Sequence, residues 1–364
     1  MTANITGSFG TERTLYSSAH SCHSCHSTDF DPKSAKKMSN RPLSIYVENY
    51  TTDEHRAIAK EQVEACLRDV DAPLNITMGW HATPDVKALA ISDFIVAPRF
   101  NTAAILQHAR NLKLVHCINA GVERYMPLDW LPVGAVLTNS RGIHAVKARE
   151  YALMSLLMLN TRMPVLADAK RARIWKPEFT TPILGKTVVV VGTGGIGGAI
   201  AGAAKSLQMR VIGVNRSGNE HSDFDEVVAQ ERLEEVLPYA DFVALACPLT
   251  IATRNLFSED RLALLKQGAG ILNMARGGVI DTAALIRMLE EKRLSGAVAD
   301  VFDQEPLPES SPVWDAPHLI VTPHISCDSP VGYVDAGLAI FGSNVRSLLA
   351  GREVTNRVDP DLQY

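Results

Sequence analysis

Long apolar runs are missing from this chain. Its most apolar stretches among 364 residues, such as 151–159 and 188–191, fall well short of the roughly 20 residues that span a bilayer. A charge bias is missing too, since the formal net charge is only -4. No broad basic surface follows from that balance, so nucleic acid is not an expected partner. The first residues show no basic stretch leading into an apolar segment, so no secretory leader is expected. Cysteine is scarce. Of six in all, Cys66, Cys117, Cys247 and Cys327 are scattered through apolar or loop contexts. That is the pattern of reduced thiols in a cytoplasmic protein, not of a disulfide framework. Repeats at solenoid periods are absent. What is present is an ordinary globular composition, 46% hydrophobic, in a chain long enough for two domains.

Residues 1–38 stand apart. They are rich in Ser, Thr and His without apolar periodicity, which predicts a disordered extension. Cys22-His23-Ser24-Cys25-His26 inside it fits a haem-attachment pattern and a cluster of metal ligands. Covalent haem needs an exported chain, and four nearly contiguous ligands strain a tetrahedral zinc site. The expectation is therefore no metal. Met38 stands just ahead of the first strand-like run, which makes the extension a candidate upstream mis-start.

From residue 43 onward, strand-like and helix-like segments alternate. Buried strands are expected at 43–47, 94–97, 112–118 and 136–139, with an amphipathic stretch at 53–67 and a long helix at 145–162. A second series begins at Lys186, with strands at 188–191, 211–214, 242–246, 270–274, 297–301 and 319–321. Helices are expected at 196–207 and 282–291, the latter capped by Asp281, and a last one at 331–349. Alternation of this kind predicts an α/β protein with two Rossmann-like domains and parallel sheets, one flavodoxin-like and one dinucleotide-binding. The expected division is 39–140 with 325–364 for a discontinuous substrate domain, and 141–324 for the dinucleotide domain.

Gly192-Thr193-Gly194-Gly195-Ile196-Gly197 matches G-x-G-x-x-G between an apolar strand and a helix. In that setting Gly192 permits the tight turn, Gly194 lets backbone approach a pyrophosphate, and Gly197 lets helix and strand pack closely. The helix N-terminus supplies free N–H donors to the phosphates. An NAD site usually ends the next strand with an acid for the ribose 2′-hydroxyl. Here the chain reads Asn215-Arg216-Ser217. Arg216 neutralises a 2′-phosphate and Ser217 hydrogen-bonds it. NADP(H) is favoured, with NAD(H) possible.

Three later segments each set a chargeable residue just after a strand of this second series. They are 273–281 with Arg276, 300–306 with Glu305, and 322–326 with His324. Ligands of open α/β sheets lie outside those strand ends. Reducing a 2-oxo acid requires a bidentate cation for carboxylate and carbonyl, which Arg276 supplies. It requires a proton for the developing alkoxide, which His324 supplies near neutral pH. It is helped by a carboxylate that orients the histidine and raises its pKa, which Glu305 supplies.

These segments, with Cys247-Pro248-Leu249-Thr250 and Pro323-His324, resemble the D-isomer-specific 2-hydroxyacid dehydrogenases over residues 43–358. The resemblance implies Arg276 as substrate clamp, His324 as acid/base and Glu305 as its partner. It implies cofactor contacts from the Gly-rich loop, Cys247, Pro248, Ala275, Arg276, His324 and Asp300, the last on the nicotinamide carboxamide. It also implies that backbone amides of 119–123, with Ala120 and Gly121 among them, hold the substrate carboxylate, and that the molecule is a homodimer. Glu123 and Arg124 depart from the family's usual Asp and Asn, which leaves the substrate open. The Asn-Arg-Ser ending resembles NADPH-using glyoxylate and hydroxypyruvate reductases. Glu305 stands where formate dehydrogenases carry Gln. The alternatives are a non-enzymatic dinucleotide sensor of the same fold and a haem protein built on Cys22 and Cys25. Arg99, Trp130, Arg141 and His144 are further candidates for the cleft, unplaced by sequence.

Overall fold

The computed structural model describes residues 41–50 and 56–364. Cys22 and Cys25, and the start of the amphipathic stretch, lie outside them. The first sheet holds five parallel strands in the order β2-β1-β3-β4-β5. Its elements run β1 (Leu43–Asn49), α1 (Lys60–Cys66), β2 (Leu74–Trp80), α2 (Val86–Ile91), β3 (Phe94–Ala97), α3 (Thr102–His108), β4 (Leu114–Cys117) and β5 (Val136–Asn139). β1 is buried at all seven positions, as expected of a strand covered on both faces. β2 has no counterpart in the sequence reading. Asn75, Thr77 and Gly79 interrupt its apolar residues, and as an edge strand it pairs with β1 alone, so it has little need of a continuous apolar run.

Two helices then lead across, α4 (Ala145–Asn160) and α5 (Met163–Arg171). The sequence predicts one helix to 162. It ends at Asn160 because Arg162 takes a left-handed φ of 54° and Pro164 sits in the first turn of α5, where its missing N–H costs nothing.

The second sheet holds seven parallel strands in the order β12-β11-β10-β9-β6-β7-β8. Its elements are β6 (Thr187–Val191), α6 (Gly195–Ser206), β7 (Arg210–Asn215), β8 (Glu226–Ala229), α7 (Leu233–Val236), β9 (Phe242–Leu245), α8 (Glu259–Ala263), β10 (Ala269–Asn273), α9 (Thr282–Glu290), β11 (Leu294–Ala299) and β12 (Leu319–Val321). β6 shows why its run of valines is unbroken. Val188 and Val190 pack into the cluster under α4 and α6, while Val189 and Val191 pack into the cluster on the opposite face. Each such burial stabilises by about 1.5–3 kcal/mol. Asp281 caps α9 by accepting from the Ala284 amide at 2.9 Å. β8, a four-residue edge strand, was not foreseen for the same reason as β2.

The last helix, α10 (Tyr333–Leu349), packs on the first sheet, not the second. Val334, Leu338, Phe341 and Val345 bury against Leu43, Ile45, Phe94 and Leu114. The tail follows it there, with the Val358 amide donating to the Leu137 carbonyl at 2.9 Å. The carboxyl ends of both sheets thus face one cleft, bridged by Arg276 and Glu123, and the two connecting segments touch where His144 meets the Cys327 carbonyl. Among the described residues no helix is long and apolar enough to cross a membrane.

Candidate active site

Strand order reverses at β6, whose neighbours are β7 and β9. The Gly-rich turn leaves β6 at this point. Gly192 has a φ of +103°, and a Cβ there would lie 2.7 Å from the Ala246 carbonyl and the Cys247 nitrogen. Gly197 is just as constrained, since its Cβ would meet the Gly192 oxygen at 1.8 Å. Gly194 differs from both: a Cβ there would touch nothing within 4 Å. Packing does not demand a glycine there, and the space beside it is open. Gly194 also opens α6 with no side-chain cap, so the first-turn N–H groups of Gly195, Ile196 and Gly197 face that space. This cradle fits a pyrophosphate.

Asn215, at the end of β7, is committed to the loop. Its Oδ1 accepts from the Gly218 amide at 2.6 Å, and its Nδ2 donates to Thr193 Oγ1 at 3.2 Å and the Asn219 carbonyl at 3.0 Å. Arg216 and Ser217 are exposed, and Arg216 forms no ion pair among the described residues. Cys247 is buried, which pushes its thiol up to about 12, so it packs as a neutral group. Pro248 turns the chain beside it, its carbonyl accepting from Thr253 Oγ1 at 2.6 Å.

The turn after β10 carries Arg276. Asn273 shapes it, Oδ1 accepting from the Ala275 amide at 3.0 Å. Gly277 is required here, because a Cβ would fall 2.1 Å from the Phe302 carbonyl carbon. That close approach brings Arg276 beside the turn that carries Glu305. His324 Nδ1 lies 2.7 Å from Glu305 Oε2, and Glu305 Oε1 accepts from the Phe302 amide at 2.9 Å. His324 takes a left-handed φ of 55°. Asp300, fully buried, holds that strained loop. Its Oδ1 accepts from Thr322 Oγ1 at 2.6 Å and from the Ile325 amide at 2.9 Å, and its Oδ2 from the Ser326 amide at 2.8 Å. Tyr151 on α4 reaches the same network, its hydroxyl 2.6 Å from Thr322 Oγ1. Nothing in the sequence marks Tyr151 apart from a helix core residue.

The Glu305 hydrogen bond raises the pKa of His324, with burial and the Arg276 charge opposing. Burial pushes the Glu305 carboxyl up, but the His324 contact and the Phe302 amide outweigh it and hold the group below the usual carboxylate range. Both shifts favour a protonated imidazole beside an ionised carboxylate, the arrangement suited to a proton donor.

Across the cleft lies the loop after β4. Asn139 Nδ2 fixes it by donating to the Ala120 carbonyl at 2.8 Å. A Cβ on Gly121 would stand 1.9 Å from Arg276 Nη2, so glycine lets the loop close onto the guanidinium. Glu123 Oε1 accepts from Arg276 Nε, while Nη1 donates to the Ala275 carbonyl at 2.7 Å. Burial raises the Glu123 carboxyl, but the Arg276 charge and hydrogen bond prevail and lower it. Sequence reading singled out Glu123 as a departure without seeing that it pairs with Arg276. Of the unplaced candidates, Trp130 is a core residue, packed 5.3 Å from Phe100 with its indole N–H on the Tyr125 carbonyl. Arg99 covers the Tyr50 ring at 4.7 Å. Arg141 is exposed. His144 lies within the electrostatic reach of Arg276 and His324.

Residues 153–326 match the model of the D-isomer specific 2-hydroxyacid dehydrogenase NAD binding domain. A glyoxylate reductase of Pyrococcus furiosus is 31% identical over 75% of this chain and 78% of its own length. A D-3-phosphoglycerate dehydrogenase of Synechocystis is 30% identical over 71% of this chain, which spans about half (47%) of that protein. A D-isomer specific 2-hydroxyacid dehydrogenase from Xanthobacter autotrophicus Py2, solved with NADPH and MES, superposes with a TM-score of 0.75. It is 26% identical, and the match covers 88% of this chain and all of that one.

Proposed function

The chain belongs to the D-isomer specific 2-hydroxyacid dehydrogenase family, NAD(P)-dependent oxidoreductases acting on CH–OH donors, and from that premise we propose a specific reaction. The protein reduces a small 2-oxo acid, glyoxylate or hydroxypyruvate, to the D-2-hydroxy acid with NADPH. The observation that carries this reading is the His324–Glu305 pair at 2.7 Å, set beside Arg276, in which the carboxylate raises the pKa of the imidazole.

The Gly192–Gly197 turn and the first amides of α6 would hold the cofactor's pyrophosphate, with Arg216 and Ser217 at its 2′-phosphate. Cys247, Pro248, Ala275 and Asp300 would line its nicotinamide half. What a bound nicotinamide supplies there is a hydride for the carbonyl carbon. Arg276 turns its free Nη2 edge toward the substrate oxygens, because Glu123 and the Ala275 carbonyl occupy Nε and Nη1. The amides about Ala120 and Gly121 bind the substrate carboxylate. His324 Nε2 faces away from Glu305 and delivers the proton to the new hydroxyl, while Glu305 stabilises the imidazolium until then.

The favoured cofactor rests on a free cation, Arg216, where an NAD site carries an acid. A homodimer is supported by the exposed Trp175 (96%) and Phe179 (94%) on the segment after α5. The cytoplasm is the proposed compartment. A panel of small 2-oxo acids run with NADPH and with NADH tests the whole reading. Oxidation of NADPH on adding glyoxylate or hydroxypyruvate is expected. A clear preference for NADH overturns the cofactor assignment, and cofactor binding with no turnover of any acid favours the dinucleotide sensor.

A further inference from the structure

The cleft is rich in donors. Arg276, a protonated His324 and the amides of the 119–123 loop all offer hydrogens, which suits a carboxylate and a carbonyl. The two carboxylates nearby each serve a cation, Glu123 through Oε1 and Glu305 through Oε2. Glu123 accepts from Arg276, and Glu305 accepts from His324 and the Phe302 amide. An acceptor with nothing to accept is what this site would need in order to read a donor on its substrate.

His144 provides one. It begins α4, where the chain crosses from β5 to the second sheet, within electrostatic reach of Arg276 and His324. The segment crossing back supplies its anchor, since the Cys327 carbonyl lies 3.2 Å from His144 Nδ1. A carbonyl cannot donate, so Nδ1 carries the hydrogen. The Tyr333 ring packs against the imidazole at 5.5 Å between centroids, and the Tyr333 hydroxyl donates to Asn119 of the substrate loop at 3.1 Å. His144 is therefore held from both sides and is only 8% exposed. Its Nε2 has no hydrogen-bond partner among the described residues and is not sealed from solvent. Burial lowers the pKa of the ring, the Cys327 carbonyl and Asp328 oppose this, and the Arg276 and His324 charges lower it further. The ring is neutral at pH 7, with Nδ1 protonated and a lone pair on Nε2.

We propose that His144 is a further substrate-binding residue, whose Nε2 accepts a hydrogen bond from a hydroxyl on the carbon next to the substrate carbonyl. The protein is then selective for 3-hydroxy-2-oxo acids, hydroxypyruvate above all, over acids without that donor. This rests on the 2-oxo-acid reductase reading above and narrows it. One neutral hydrogen bond in a partly dry cleft gives about tenfold discrimination.

Hydroxypyruvate and pyruvate differ by this one hydroxyl, so the ratio of their kcat/KM values is the readout. Wild-type protein is expected to favour hydroxypyruvate by about tenfold or more. In His144→Leu that ratio should fall about tenfold. In His144→Gln it should be partly restored, because Oε1 accepts and the amide N–H still reaches the Cys327 carbonyl. A purely structural role for His144 lowers both substrates together and leaves the ratio unchanged, which overturns the proposal. So does a wild-type ratio near one, even if the leucine variant does not fold. Wild-type protein that reduces glyoxylate but not hydroxypyruvate overturns this proposal and leaves the reductase reading standing, whereas protein that turns over none of the three acids with either cofactor removes that reading and this proposal with it.

Discussion

The two walls of the cleft are built differently. The His324 wall is complete within the second sheet's own loops: Asp300 takes three donors, Glu305 takes two, and Gly277 allows the turns to touch. The facing wall, residues 119–123, is held on its own side by Asn139 and Tyr333, and across the cleft by the contact of Glu123 with Arg276. The His324–Glu305 pair thus takes its geometry from one side alone, whereas the 119–123 wall is shaped in part by Arg276 from the other side. Preorganised charge of this kind is what general acid catalysis needs.

The largest effect that would break this contrast is at His324. His324→Asn removes the proton donor and should lower kcat by about 10²–10⁴-fold, with cofactor affinity preserved. Turnover within a few-fold of wild type in stopped-flow assays would show that the proton comes from elsewhere. Glu305→Gln is expected to be milder, about 10–100-fold in kcat, with a change in pH profile. Glu305 raises the pKa of His324, and reduction needs His324 protonated. Reductive activity is therefore present at low pH and lost as pH rises through that pKa. Without the carboxylate the loss must come at lower pH. A pH–rate profile whose alkaline limb does not move would separate Glu305 from His324. The smallest effect belongs to the facing wall. Glu123→Gln keeps the hydrogen bond to Arg276 but removes a negative charge beside the substrate carboxylate. The KM for the 2-oxo acid should fall about threefold, in the range of a partly exposed ion pair. A rise in KM would mean that fixing the guanidinium matters more than the charge, and would make this wall as preorganised as the other.

Most of the fold was legible because it is written in short range. The valines of β6, the glycines after it and the Asp281 cap each state a local geometry, and the structure repeats them within a residue or two. β2 and β8 were missed because an edge strand paired on one side need not be apolar throughout. The break at Arg162 was missed because a single left-handed residue leaves no periodic signal. The site divides along the same line. Arg276, Glu305 and His324 announce themselves by standing just past strand ends, and the structure sets His324 against Glu305. Tyr151, buried in a helix pattern, and His144, unplaced by any motif, owe their positions to packing between distant segments.

By itself the sequence determined an α/β chain with a dinucleotide turn, an arginine, a carboxylate and a histidine at successive strand ends, since those depend on spacing along the backbone. Only tertiary structure decided which groups share hydrogens. It gave Asp300 to the His324 loop, Glu123 to Arg276 across the cleft, and His144 to the Cys327 carbonyl with Nε2 left over. A hydrogen bond between residues 153 or 183 positions apart is fixed by how two sheets face each other, and no local pattern encodes it.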